Sequence, residues 1–106
     1  MKNRLESLLK FLEDDPNDSF TRYAVALEYS KDGKQDDARK QFEETLRRDP
    51  EYLPAYHQLG QLLGELCEFG EAERIYTTGM QLAAKLGEHH TRSEMEAELD
   101  ELKDQM

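Results

Sequence analysis

The chain has 106 residues, a length that suits one domain and is too short for two ordinary ones. Its 14 basic and 24 acidic residues give a formal net charge of −10, and a surface of that sign repels the phosphate backbone of nucleic acids. The apolar residues include fifteen leucines but only one valine and one isoleucine, whereas sheets favour β-branched residues. The composition therefore excludes a β-rich fold and disfavours a nucleic-acid partner.

The sequence carries no segment that would direct the chain into or across a membrane. No apolar run approaches the roughly 20 residues that a membrane-spanning helix needs, so we expect no membrane partner. The charged N-terminal stretch lacks the small-residue cleavage site of a secretory signal. The single cysteine, Cys67, cannot form an internal disulfide, which fits a reducing compartment. We therefore expect a cytoplasmic protein.

Apolar spacing and stop signals predict three helices in the first half of the chain. Leucines recur at i, i+3, i+4 and i+7 in the first fourteen residues, as they do on one face of an amphipathic helix. Pro16 ends this helix because a proline disfavours helical geometry in the residue before it. A second helix is predicted over residues 19–31, before Gly33, and a third over residues 35–48, before Pro50.

Three more helices are predicted in the second half. The fourth covers residues 53–66 and has Pro54 in its first turn, where the missing N–H costs nothing. The fifth covers residues 70–86, and Gly87 is its expected C-terminal stop. The sequence Thr-Arg-Ser-Glu at residues 91–94 is a capping box, which predicts that the sixth helix begins there. No strand is predicted, so the expected fold is all-α.

The chain repeats itself with a period of 34 residues, and this observation decides the expected fold. Small residues recur at equivalent positions, where they let two helices approach closely at their crossing. An aromatic residue recurs at an equivalent position and fills the space beside each crossing. The matched positions are Asp15-Pro16 with Asp49-Pro50, Ala26 with Gly60, Ala38 with Ala72, and Phe42 with Tyr76.

At these positions the sequence resembles the tetratricopeptide repeat family. The second unit carries the family pattern as Tyr56, Leu59-Gly60, Leu63, Ala72 and Tyr76, and the first as Arg22, Val25-Ala26, Tyr29, Ala38, Phe42 and Pro50. The resemblance implies a right-handed superhelical array of antiparallel helix pairs. It implies one domain over residues 1–106, made of an N-terminal half-repeat at 1–15, repeats at 19–50 and 53–86, and a C-terminal capping helix at 91–106.

Four positions depart from the family pattern. Arg22 stands where the family prefers a bulky apolar residue, and Cys67 replaces a turn glycine. Gly79 stands where alanine is usual. Ala84 replaces the closing proline, so we expect the fifth helix to continue to residue 86.

The residues that usually carry catalysis or bind metals form no recognisable site. His89 and His90 are adjacent, so they point in different directions, and Cys67 has no second ligand at metal-site spacing. Nucleotide-binding and zinc-protease motifs are absent, and the carboxylates follow the spacing of solvent-exposed helix faces. We therefore expect no catalytic residues, no metal site and no cofactor.

The resemblance implies that the first helix of each unit lines a concave groove that holds a partner. The groove residues it implies are Phe20, Tyr23, Ala24 and Leu27 in the first unit, and His57, Gln58 and Gln61 in the second. The first set is an apolar stripe at i, i+3, i+4 and i+7, which the N-terminal helix or the preceding turn could instead cover. Some family members grip the carboxylate of a chaperone tail with lysine and asparagine on these faces. Those residue types are missing here, so that recognition is not expected.

These observations predict a non-catalytic module that binds a peptide or helix of a partner protein in the groove. The alternative is a self-assembly subunit that forms a homodimer through the same apolar stripe, and an enzyme with an unrecognised site is a distant third. Residues 87–106 carry a net charge of −5. That charge is compatible with a solvated helix face, with adaptation to a salty cytoplasm, or with a partner that has basic as well as apolar residues.

Overall fold

Six α-helices make up the chain in a computed structural model that describes residues 3–106. They are α1 (Arg4–Asp14), α2 (Ser19–Lys31), α3 (Gln35–Arg48), α4 (Leu53–Glu65), α5 (Phe69–Leu86) and α6 (His89–Lys103). The all-α prediction is confirmed, since no strand occurs within the described range. The first two residues of the predicted half-repeat at 1–15 lie outside that range. Between residues 3 and 106, no helix combines the length and the apolar character needed to cross a membrane.

The helices form two compact units, of which the first ends at Tyr52 and the second begins at Leu53. In the first unit, α2 packs against both α1 and α3. The positions that the sequence pattern assigns to the α2–α3 crossing are almost completely shielded from solvent: Val25, Ala26, Ala38 and Phe42. The assignment of repeats and of a single domain stays a prediction.

Arg22, the departure from the family pattern in α2, is a buried polar anchor that takes the place of an apolar side chain. Its side chain is only 9% exposed. Its guanidinium donates to the carbonyl oxygen of Pro16 at 2.8 Å and to Oε1 of Gln41 at 3.0 Å. Because a buried charge is costly unless it is hydrogen-bonded, these two acceptors explain how an arginine is tolerated there.

In the second unit, α5 packs against both α4 and α6. A Cβ atom on Gly60 of α4 would lie 2.8 Å from the ring of Tyr76 in α5, so the predicted close crossing is confirmed. Gly79 of α5 is equally confined, because a Cβ there would lie 2.8 Å from Cβ of Tyr56 and 3.0 Å from Sδ of Met95. The departure at Gly79 therefore has a physical reason: α4 and α6 both approach α5 at this residue.

Three helices end in the same left-handed turn, which reverses the chain within two residues. After α2, α4 and α5, the residue in the turn is Gly33 (φ +78°), Cys67 (φ +61°) and Gly87 (φ +74°). The amide of the next residue donates back to a carbonyl five residues earlier, as in Lys34 to Tyr29 at 2.8 Å. This is the Schellman pattern, which satisfies carbonyl groups that the helix end would otherwise leave free.

The predicted start of the sixth helix is wrong. The helix begins at His89 rather than at the capping box of residues 91–94, and no side chain caps its N-terminus. The left-handed turn at Gly87 is the reason: Glu88 already accepts a helical hydrogen bond from the amide of Arg92, at 3.1 Å. Thr91 consequently lies inside the first turn, not before it.

We predict that Gly79→Ala lowers the free energy of unfolding by about 1–3 kcal/mol, because the new methyl group overlaps Cβ of Tyr56, which cannot move without its backbone. Gly70→Ala is the matched control in the same helix. A Cβ at Gly70 meets nothing within 4 Å, so this change should leave stability the same or raise it by up to about 1 kcal/mol. Urea unfolding of both variants makes the comparison, and equal effects would contradict the close approach at Gly79.

We predict that Cys67→Gly raises the free energy of unfolding by about 0.5–1 kcal/mol, because a side chain in the left-handed region costs roughly 1–2 kcal/mol and glycine avoids that cost. The reciprocal change at the equivalent turn, Gly33→Ala, should lower stability by a similar amount although a Cβ there meets no neighbour within 4 Å. Chemical denaturation measures both. Effects of the same sign at the two turns would show that backbone strain does not govern them.

Candidate functional site

The apolar stripe predicted on α2 is divided between solvent and core. Phe20 is 62% exposed, Tyr23 and Leu27 are half-buried, and Ala24 is only 3% exposed. Ala24 therefore lies beneath the surface that a partner would touch. We use the name "α2 face" for Phe20, Tyr23 and Leu27.

Tyr23 connects the α2 face to the packing of the first unit. Its ring centroid lies 5.9 Å from that of Phe42 and 5.4 Å from that of Tyr52, with tilted planes in both pairs. Burial raises the pKa of the Tyr52 phenol, with smaller contributions from Tyr23, Asp18 and Asp49. The ring of Tyr23 is thus held in place by Phe42 and Tyr52, whereas the ring of Phe20 is largely accessible.

The polar residues predicted on α4 are engaged within the second unit. Nε2 of His57 lies 2.7 Å from Oε2 of Glu98 in α6, and Nε2 of Gln61 donates to Oε1 of Glu98 at 2.9 Å. The hydroxyl of Tyr76 in α5 donates to the same Oε1 at 2.9 Å. We call these four residues the Glu98 network. It joins all three helices of the second unit, whereas Gln58, the third predicted residue, is half-buried outside it.

The Glu98 network keeps its carboxylate charged. Desolvation by burial acts to raise the pKa of Glu98, but the hydrogen bonds from His57, Gln61 and Tyr76 outweigh it, so the pKa lies below its usual value. Burial and the hydrogen bond to Glu98 raise the pKa of Tyr76, which therefore remains a neutral donor. In the network, the Glu98 carboxylate of α6 thus accepts hydrogen bonds from three side chains that belong to α4 and α5.

A pocket of about 280 Å³ opens beside the Glu98 network in the second unit, and we call it the α4–α6 pocket. Its lining residues are Gln61, Gly64, Glu65, Tyr76, Glu98, Glu101, Leu102 and Gln105. Three of them are glutamates and none is a lysine or an arginine. The pocket therefore offers a partner an apolar floor and negatively charged walls.

Glu98 is the site residue that sequence reasoning missed. The sixth helix does not follow the 34-residue register, so no family position pointed to Glu98. A signal was nevertheless present: Glu98 stands at i+3 from Met95 and i−4 from Leu102, beside the buried stripe of α6. A carboxylate at the border of a buried stripe needs hydrogen-bond donors from the neighbouring helices.

The other chemistry-bearing residues remain apart. Cys67, His89 and His90 are exposed. His90 pairs with Glu94 of its own helix at 3.3 Å. No group of three or more histidine, cysteine, aspartate or glutamate side chains in the described part of the chain has an arrangement that could hold a metal ion.

No protein-family model and no curated protein matches this sequence, but solved structures do. The chain is 33% identical to a tetratricopeptide repeat domain protein from Salinibacter ruber, solved in solution by NMR; the match covers 85% of this chain and 91% of that chain, with a TM-score of 0.80. A crystal structure of the tetratricopeptide repeat domain protein from the same organism matches with 32% identity, coverage of 82% and 97%, and a TM-score of 0.78.

A structure with lower sequence identity to this chain superposes on it with a higher TM-score. The TPR2B domain of yeast Sti1, solved in a complex with pHsp70, is 14% identical to this chain, covers 96% of it and 82% of its own length, and has a TM-score of 0.91. At 14% identity, the likeness to the Sti1 domain shows a shared fold alone. The predicted helical-repeat solenoid is confirmed by these structures.

We predict that Glu98→Gln lowers the free energy of unfolding by about 1–2 kcal/mol at pH 7, because it removes charge-assisted hydrogen bonds. The pKa of Glu98 is lower in the folded state than the usual value near 4.3 for an unfolded chain. Its contribution is therefore complete above that value and is lost as the pH falls through the folded-state pKa. The difference between wild type and variant should shrink towards pH 3.

The matched control for this prediction is Glu96→Gln, an exposed carboxylate on the same helix. It removes the same charge and should change stability by less than about 0.5 kcal/mol at every pH. Denaturant unfolding between pH 7 and pH 3 measures all three proteins. A gap between wild type and Glu98→Gln that stays constant with pH would contradict the role assigned to the charged carboxylate.

Proposed function

Because the chain belongs to the tetratricopeptide repeat family, we propose that it is an interaction module, without chemistry of its own, that binds a segment of a partner protein. The family assignment rests on the Salinibacter ruber protein, 33% identical over 85% of this chain. The fold likeness to the Sti1 domain, which was solved as a complex, also supports a binding role. The residues proposed to meet a partner are those of the α2 face, Phe20, Tyr23 and Leu27, and on α4 His57, Gln58 and Gln61.

The exposure of Phe20 is the observation that carries this proposal. A large aromatic side chain that is 62% exposed at the start of α2 adds little to the core of its own unit. Tyr23 beside it is fixed by Phe42 and Tyr52, so the α2 face combines a rigidly held aromatic ring with an accessible one. Aromatic residues on a rigid support are the usual anchors of protein interfaces, because they bury much area with little loss of conformational entropy.

The chemistry of the partner follows from these faces. One or two bulky apolar side chains of the partner would cover Phe20 and Leu27. Basic residues in the same segment would suit a chain of net charge −10 and would speed association at low salt. A carboxylate-terminated tail is disfavoured beside His57 and Gln61 of α4, since both side chains already interact with Glu98. We therefore do not propose recognition of a chaperone carboxylate tail for this chain.

The experiment is selection of binders from a random nine-residue peptide library, followed by affinity measurement for the enriched peptides. We predict that Phe20→Ala weakens binding by about 1–2 kcal/mol, because it removes an aromatic anchor, while the melting temperature hardly changes. The matched control is Phe11→Ala on α1, a phenylalanine that is 64% exposed and lies outside the α2 face. It should leave binding unchanged.

Two outcomes would contradict the proposal. Equal weakening by Phe20→Ala and Phe11→Ala would mean that the peptides attach to any exposed ring. Alternatively, sedimentation could show a dimer that Phe20→Ala dissociates and that enriched peptides do not displace. In that case the α2 face would serve self-assembly, the other function that the apolar stripe allows.

A further inference from the structure

In the Glu98 network, two residues that line the α4–α6 pocket, Gln61 and Tyr76, donate their hydrogen bonds to Glu98. His57, Gln61 and Tyr76 approach the two oxygens of one carboxylate at 2.7–2.9 Å. Gln61 and Tyr76 are neutral donors, so they hold the charge of Glu98 without cancelling it. Three of the eight lining residues are glutamates, whose carboxylate oxygens accept hydrogen bonds, and none is a lysine or an arginine.

Two more carboxylates of the pocket have no internal partner. Glu65 of α4 and Glu101 of α6 both line the pocket and are exposed, and neither has a hydrogen bond or an ion pair with another described residue. The floor between them is narrow and apolar, since Gly64 and Leu102 approach so closely that a Cβ on Gly64 would lie 3.2 Å from Leu102. Charge and shape together therefore fit a long side chain with an apolar stem and a cationic end.

The geometry of the pocket selects among cations. Side chains that could hold a metal ion form no cluster of three anywhere in residues 3–106, so the pocket does not fit a bare ion. Its volume of about 280 Å³ lies just below the roughly 300–1,000 Å³ typical of small-molecule sites, which favours one side chain over a larger ligand. Guanidinium offers five N–H donors in a plane and is more weakly hydrated than ammonium, so it suits acceptors spread over several walls.

We propose that Glu98, held by His57, Gln61 and Tyr76, makes the α4–α6 pocket a seat for an arginine side chain of a partner protein and closes it to carboxylates. The inference rests on the proposed function. It adds to that function a charge specificity located in the second unit of the chain. Glu98 is the specificity-determining residue because it supplies a fixed charge, whereas Glu65 and Glu101 are exposed and supply only the rim. A preorganised carboxylate loses little freedom when the guanidinium arrives.

The test uses three acetylated and amidated peptides of seven residues, each with six alanines around a central arginine, citrulline or glutamate. Citrulline has the shape of arginine without its charge. NMR titration of the whole protein yields each affinity from the amide signals of the pocket residues. We expect the arginine peptide to bind about fivefold tighter than the citrulline peptide, and the glutamate peptide not to bind.

Four variants separate charge specificity from a structural role of the network. Glu98→Gln should reduce the arginine preference to less than about twofold, and Glu101→Gln, which removes a charge at the rim, should reduce it by a smaller amount. Glu101→Gln disturbs no internal hydrogen bond, so it also covers the case in which Glu98→Gln fails to fold. Glu96→Gln removes the same charge outside the pocket and should keep the preference. Tyr76→Phe removes one donor that holds Glu98 but keeps the charge, so it should lower the preference by clearly less than Glu98→Gln does.

Several results would overturn the inference: no arginine preference in the wild type, an equal loss in Glu96→Gln, or a loss in Tyr76→Phe as large as in Glu98→Gln. The first result would show that the pocket does not bind arginine. The second would show that the preference depends only on the net charge of the protein, and the third that it depends only on the structural integrity of the network. Loss of the arginine preference with Phe20-dependent peptide binding intact would overturn this inference alone. Absence of Phe20-dependent binding would overturn the proposed function instead.

Discussion

The close approach of α4 and α6 to one residue of α5, Gly79, is the constraint on which the second unit depends. Tyr56 of α4 and Met95 of α6 both occupy the space that a side chain at Gly79 would need. Because interiors are packed as densely as organic crystals, this contact fixes the rotation of α6 as well as its distance. That rotation brings Glu98 within hydrogen-bond reach of His57 and Tyr76. The place of Glu98 in the pocket thus depends on a contact between apolar groups.

The two units meet the same structural demands with different residues. A left-handed turn closes α2 in the first unit and α4 in the second, but the first turn uses Gly33 and the second uses Cys67. At the position of the large residue in the family pattern, the second unit buries Tyr56, while the first buries Arg22 and satisfies its guanidinium with Pro16 and Gln41. Side-chain identity is therefore less constrained than backbone geometry, provided that each buried polar group finds its acceptors.

The sequence allowed the helices and their crossings to be predicted because both depend on local spacing and on a repeat that occurs twice. The burial of Ala38 and Ala72 follows from that register alone. Glu98 could not be predicted in the same way, because α6 leaves the 34-residue register and its rotation depends on Met95 packing against Gly79. The start of α6 was predicted wrongly for a related reason: the left-handed turn at Gly87 begins the helix at His89, two residues ahead of the capping box.

The proposed faces of the two units would contribute to binding in physically different ways. Apolar burial against Phe20 and Leu27 scales with the area removed from water and is little affected by moderate salt. Attraction between the carboxylates of the α4–α6 pocket and a cation is screened over about 8–10 Å at 0.1–0.15 M salt. Added salt would therefore weaken the contribution of the second unit and leave that of the first. The affinity of a partner for the α2 face would therefore depend mainly on apolar burial, and selectivity for charge at the α4–α6 pocket would depend on Glu98.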